Sequence, residues 1–69
     1  MKISYKPLWH LLLDKGWSKS QLIKESKISS SSLAKMVKGE NITTGILLKI
    51  CETLDCDIKD IMEIEKEEE

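Results

Sequence analysis

Lysines are the residues of this 69-residue chain best placed to do chemistry by their charge, and they are unevenly spread. Residues 15–49 hold seven (Lys15, Lys19, Lys24, Lys27, Lys35, Lys38 and Lys49) against two acids, Glu25 and Glu40, which leaves +5 on that span. Residues 50–69 hold nine acids against Lys59 and Lys66, which leaves −7. The overall charge of −1 and pI of 5.8 hide this segregation. A basic span is the electrostatic footprint of phosphate binding, because each phosphate it neutralises releases condensed counterions. A solvated lysine-rich surface is the plainer alternative. The elements that carry the lysines decide between the two.

Other chemistry finds little footing. His10 is the only histidine, beside Trp9, with no serine or cysteine nucleophile pattern and no paired acids in a pocket-sized framework, so neither general acid–base nor nucleophilic catalysis is expected. Cys51 and Cys56 are five residues apart with no second cysteine pair; that spacing offers no zinc framework, and buried free thiols are expected rather than a disulfide. The sequence therefore predicts no enzyme, no metal and no cofactor.

The basic span contains its own scaffold. Residues 18–39, SKSQLIKESKISSSSLAKMVKG, read as two short helices joined by a tight turn, with a serine start signal before each. Ser18 with Gln21 forms a capping box for the first. Ser29 caps the second, whose Leu33, Met36 and Val37 share a face and which stops at Gly39. This is the arrangement of a helix-turn-helix, whose second helix is held out to enter a DNA major groove. The same signature occurs in helical bundles that never touch DNA. A flexible, low-complexity loop is the other reading of the run Ser29, Ser30, Ser31, Ser32.

Around this pair the chain reads as five helices with no segment that reads as a strand. The first spans Lys6–Lys15, with Pro7 suited to a first turn, Gly16 to the stop, Leu8, Leu11 and Leu12 facing the core and Trp17 closing one side. The second covers Lys19–Ser26, with Leu22 and Ile23 inward, and the third residues 30–38. Thr43 or Thr44 caps a fourth that runs to Leu54 and buries Leu47, Ile50, Cys51 and Leu54. Asp57 caps a short fifth, with Ile58, Ile61 and Met62 packing back. Residues 65–69 carry like charges with nothing to bury, so an acidic, fraying tail is expected after a domain of residues 1–64. With 41% hydrophobic and 33% charged residues the chain is globular, with one small core. It has no apolar run of membrane-spanning length, and its N-terminus MKISYKP lacks the apolar segment of a signal peptide, so a cytoplasmic protein away from membranes is expected.

Five short helices with the helix-turn-helix at positions two and three resemble the Cro/C1-type, or Xre-type, DNA-binding domains of phage repressors and small bacterial regulators. The resemblance covers residues 8–62 and rests on KGWSKSQL, KISSSSLAKMVKGE and LLKICETLDCDIKDIMEI. It implies an all-α, compact, lambda-repressor-like five-helix bundle that binds double-stranded DNA as a homodimer and regulates transcription. Two departures stand out. Many relatives have glycine at the interhelical turn, where this chain has Lys27. Many also join helix one to the end of helix three by an Arg–Glu pair, where Leu12 and Val37 stand here; a packed apolar pair can replace a buried ion pair without loss.

Carried over position by position, the resemblance places the base-facing residues at Ser30, Ser31, Ser32 and Lys35. Phosphate contacts fall to Lys19 and Ser20 at the start of helix two, and to Lys38, Asn41, Thr43 and Thr44 after helix three. Glu40 opposes them. A serine hydroxyl discriminates weakly between bases, Lys35 can donate to guanine, and the chain has no arginine, so direct readout is expected to be modest. Leu48, Ile61, Met62 and Ile64 are the expected dimer surface. The rival reading is a protein-interaction module of the same fold, an antitoxin or a partner-binding regulator, using Tyr5, Trp9 and Leu13 as an exposed apolar strip.

Overall fold

A hydroxyl or a proline starts each α-helix, and a left-handed residue follows the end of each. The computed structural model describes residues 1–66. In chain order these form β1 (Lys2–Ser4), α1 (Lys6–Lys15), α2 (Lys19–Ser26), α3 (Ser30–Val37), α4 (Thr44–Leu54), one 3₁₀ turn (Ile58–Asp60) and β2 (Glu63–Glu65). Pro7 occupies the first turn of α1, where its missing N–H costs nothing. Ser18 Oγ accepts from the Gln21 amide at 3.1 Å, Ser29 Oγ from Ser32 at 3.2 Å and Thr43 Oγ1 from Ile46 at 3.4 Å. Each bond satisfies one of the four amides a helix start leaves unpaired. At the other ends stand Gly16 (φ 72°), Lys27 (φ 61°), Gly39 (φ 77°) and Asp55 (φ 52°).

The expected fifth helix is a single 3₁₀ turn. Asp57 does cap it: Oδ1 accepts from the Ile58 amide at 2.7 Å, and the Asp60 carboxylate reaches back to the Asp57 amide at 3.0 Å. That box closes within three residues, and Ile61 then drops into the core, so the chain cannot wind on. It extends instead as β2, antiparallel to β1, with Lys2 opposite Glu65, Ile3 opposite Ile64 and Ser4 opposite Glu63. The architecture is therefore four α-helices with a small two-stranded sheet joining the ends of the chain, and not an all-helical bundle of five. Glu65, placed by the sequence in the acidic tail, belongs to this sheet, and its carboxylate lies 3.6 Å from Lys6 Nζ. Residues 67–69 of that tail lie outside the described residues.

Each α-helix contributes one fully buried side chain to a common centre, Leu8 from α1, Leu22 from α2, Met36 from α3 and Ile50 from α4, and Ile61 joins them from the end of the 3₁₀ turn. Tyr5, Leu12, Ile28, Leu33, Leu47, Cys51 and Leu54 complete the core, with Trp9, Leu11, Trp17 and Ile23 packed half-buried against it. Three expectations change here. Ile61 is buried in the core, packed back as its segment implied, and so is not dimer surface. Tyr5 is buried rather than part of an exposed strip, because the ladder to β2 pulls the N-terminus onto the body. Val37 is 54% exposed, so it forms no packed apolar pair with buried Leu12. Leu48 and Ile64 remain exposed at 54% and 67%. Cys51 and Cys56 are free thiols, the first buried and the second half-buried. Among the described residues no helix is long and apolar enough to cross a membrane.

Leu33→Ala and Leu47→Ala each empty part of a core with few alternatives for repacking, so each is expected to destabilise by about 2–5 kcal/mol. Urea denaturation reads this as a lower midpoint. Unchanged midpoints for both would show that these two side chains do not face the core.

Candidate nucleic-acid interface

The geometry of α3 is set from behind. Ser26 donates its hydroxyl back to the Leu22 carbonyl, which satisfies a buried polar group at the end of α2. Lys27 then takes a left-handed conformation, its amide bonding to the Ile23 carbonyl at 2.9 Å. For a residue with a Cβ that conformation costs about 1–2 kcal/mol. Ile28, buried in the core, holds the strained residue in place. The turn where the resemblance implies glycine is made here by lysine in a left-handed conformation.

Leu33 and Met36 anchor the inner side of α3. Ser31, Lys35 and Lys38 follow one another at four- and three-residue spacing, so they form an outward stripe, and all three are exposed. Ser30 is exposed beside them. Ser32, half-buried, and Lys35 border a groove of about 210 Å³ whose far wall is Asn41, Ile42, Thr43 and Ile46. Four of the ten expected contact residues thus meet around one depression. Thr44 is exposed at the adjoining start of α4. Lys38 borders a different groove with Lys2, Lys6, Gly39 and Glu65. Lys19 and Ser20 stand apart at the start of α2, and Lys19 Nζ lies 4.9 Å from the centroid of the Trp9 ring, a cation–π distance.

The serine run is neither a loose loop nor a row of free hydroxyls. Ser29 Oγ accepts from the Ser32 amide and also meets Ser31 Oγ at 3.0 Å and Ser32 Oγ at 2.9 Å. A hydroxyl has one hydrogen and two lone pairs. With one lone pair taken by the amide, Ser29 can accept from one of the two serines and donate to the other. Of Ser31 and Ser32, one therefore keeps its own hydrogen for an outside acceptor and the other offers lone pairs. Ser30 takes no part in the cluster. The sequence signal for it is the cap at Ser29 followed by two more hydroxyls within its reach.

Tyr5 is the supporting residue that sequence reasoning missed. After α3, the Gly39 amide bonds to the Met36 carbonyl at 3.0 Å and the Glu40 amide to Lys35 at 2.9 Å, the double closure of a helix ended by a left-handed glycine. Tyr5 Oη then donates to the Glu40 carbonyl at 3.1 Å. Burial pushes the Tyr5 phenol up from its ordinary range, with the Ile42 backbone pulling the other way, so the group is a neutral donor at physiological pH. The wall of the groove that holds Asn41 and Thr43 is thereby tied to the N-terminus, a contact across 35 residues that no local pattern announces.

His10 and Cys56 border one shallow groove with Asp14, Lys59 and Asp60, but the Cys56 thiol is pushed up to about 11, chiefly by burial and then by Cys51. That shift keeps the thiol protonated and slow to react at neutral pH.

A family model described as the Cro/C1-type HTH DNA-binding domain matches residues 7–67. The crystal structure of the transcriptional regulator VanUg, in its Form II, is similar with a TM-score of 0.87 and 44% sequence identity, over 90% of this chain and 83% of that one. A comparison with curated proteins gave no match.

Tyr5→Phe keeps the buried ring and removes only the hydroxyl that holds Glu40. A loss of about 1 kcal/mol is expected, read from the urea midpoint. A midpoint equal to that of the wild type would mean that the backbone closure after α3 is sufficient by itself.

Proposed function

The chain belongs to the Cro/C1-type helix-turn-helix DNA-binding family, and from that premise we propose a transcriptional regulator that lays α3 in the major groove as a homodimer on an inverted repeat. The observation that carries this reading is the outward stripe of α3, Ser31, Lys35 and Lys38, alongside the groove that joins Ser32 and Lys35 to Asn41 and Thr43. Hydroxyl, ammonium and amide groups converge there. The family is typically non-enzymatic, and a similar chain is itself described as a transcriptional regulator.

In this reading Ser30, Ser31, Ser32 and Lys35 face base edges, while Lys19, Ser20, Lys38, Asn41, Thr43 and Thr44 contact phosphates. Phosphate contacts position the protein and base contacts specify the site. Lys19 serves from the start of α2, where unpaired backbone amides favour an anion. One recognition helix bearing three serines and a lysine reads little sequence, and two copies double what is read. Leu48 and Ile64, with half-buried Met62, supply the apolar surface for pairing.

The lysine roles separate under titration with duplexes selected from random DNA. Lys19→Ala and Lys38→Ala are expected to weaken binding to all sequences alike and to lower the salt slope by about one each, whereas Lys35→Ala relaxes preference at one base position. If Lys35→Ala behaves like the other two, its assignment to a base is wrong. If no duplex binds even at about 50 mM salt, where phosphate contacts are strongest, the protein-interaction reading replaces this one.

The dimer has its own test. Footprinting over an inverted repeat with half-sites about ten base pairs, or 34 Å, apart is expected to show both halves protected together. One protected half-site with one-to-one stoichiometry at high protein concentration would establish a monomeric binder.

A further inference from the structure

Cys51 and Cys56 meet at the end of α4 for a backbone reason. Asp55 takes the left-handed conformation, and the Cys56 amide donates to the Cys51 carbonyl at 3.0 Å. In this kind of helix ending the side chains of the two bonded residues commonly touch, as an apolar pair that seals the last turn. Here both are thiols. Residues so joined have Cα atoms within the range a disulfide spans, about 4.4–6.8 Å. The two groups also act on each other, each shifting the other's protonation. We propose that Cys51 and Cys56 are a modification site, a dithiol that closes to an intrachain disulfide by exchange with a low-molecular-weight disulfide.

Access sets the order of events. Cys56 is half-buried and borders two open grooves, one with Leu48, Cys51 and Ile58 and the other with His10, Asp14 and Asp60. Cys51 is buried. Cys56 therefore gives up its proton and its thiolate attacks one sulfur of the small disulfide; the S–S bond breaks, and the departing thiolate takes a proton. Cys51, deprotonated in turn, attacks the Cys56 sulfur of the mixed disulfide and expels the second small thiolate. Two protein thiols are oxidised and one disulfide is reduced to two thiols. The reacting species is the thiolate, and burial, with Cys51 beside it, pushes the Cys56 thiol up to about 11. The first step is accordingly slow at neutral pH and rises about tenfold per pH unit below that value. None of the residues proposed to contact DNA borders either groove, so the site is separate from the DNA-facing surface.

The test uses the reduced full-length chain and oxidised glutathione, with acid quenching, alkylation of remaining thiols and intact mass. The wild type is expected to pass to a species that has lost two hydrogens and takes no alkyl group, without a lasting glutathione adduct. Cys51→Ser is expected to stop at a single adduct, and Cys56→Ser to react at least about tenfold more slowly, as burial of its remaining thiol requires. Circular dichroism checks that both variants fold, and the wild-type arm is decisive without them. In urea, where the thiols are no longer held together, closure is expected to be at least about tenfold less favoured than in the native chain. Two stable adducts on the native wild type, no reaction of the native wild type, or closure as ready in urea as in the native state would each overturn the proposal.

Discussion

One core shared by every element is the constraint from which the rest of this structure follows. A chain of this length builds a single small interior, and here each helix meets it through one fully buried residue, Leu8, Leu22, Met36 and Ile50, with Ile61 sealing the end. α3 is eight residues long and has two core anchors, Leu33 and Met36. Moving them by one position would turn the helix by about 100°. The facing direction of Ser31, Lys35 and Lys38 is thus fixed by what lies on the far side of the same helix, and the outward chemistry is a consequence of the inward packing.

Local strain and charge are arranged around that core. Lys27 and Asp55 both stand in left-handed conformations that glycine adopts more easily, and each is followed by a residue set into the body of the protein, buried Ile28 and half-buried Cys56. Packing thus holds turns that local preference would not choose. The charges separate in the same way. The surplus of lysine lies on the segments that include α2 and α3, and the surplus of acid follows α4. In the proposed reading a phosphate backbone near α3 would meet the basic side at short range, because exposed charges of either sign fade over about 8–10 Å in physiological salt.

Much of this was legible because it is local. The starts at Ser18, Ser29 and Thr43 and the stops at Gly16 and Gly39 each depend on a few neighbouring residues, and the four α-helices lie where those signals put them. The strands were not legible. Each has three residues, and their partners are about sixty positions apart in the chain, so neither period nor composition marks them. The same long-range pairing explains Tyr5, which reads as a surface aromatic until β1 carries it inward. Val37 failed for the opposite reason: at four residues from Leu33 it falls on the inward face by periodicity, but α3 ends there and leaves it beside open solvent. For the candidate site, residue types and positions could be read from the sequence, whereas the coupling of Ser31 and Ser32 through Ser29 and the stacking of Lys19 on Trp9 needed the fold.

That coupling bears on how the surface of α3 would read a base edge. Three free serines would each rotate to donate or accept, and a hydroxyl that does either discriminates little. The Ser29 cap removes part of that freedom, because a hydrogen offered outward by Ser31 commits Ser32 to its lone pairs, and the reverse holds equally. A donor and an acceptor at neighbouring positions form a pattern, which one hydroxyl cannot. The two arrangements present that pattern in opposite order, and a bound sequence selects between them at the expense of rotating only hydrogens. Lys35, one turn further along the stripe, remains a donor in both. If α3 lies in a major groove as proposed, the information it can extract from DNA depends on its N-cap, a residue whose first task is to start the helix.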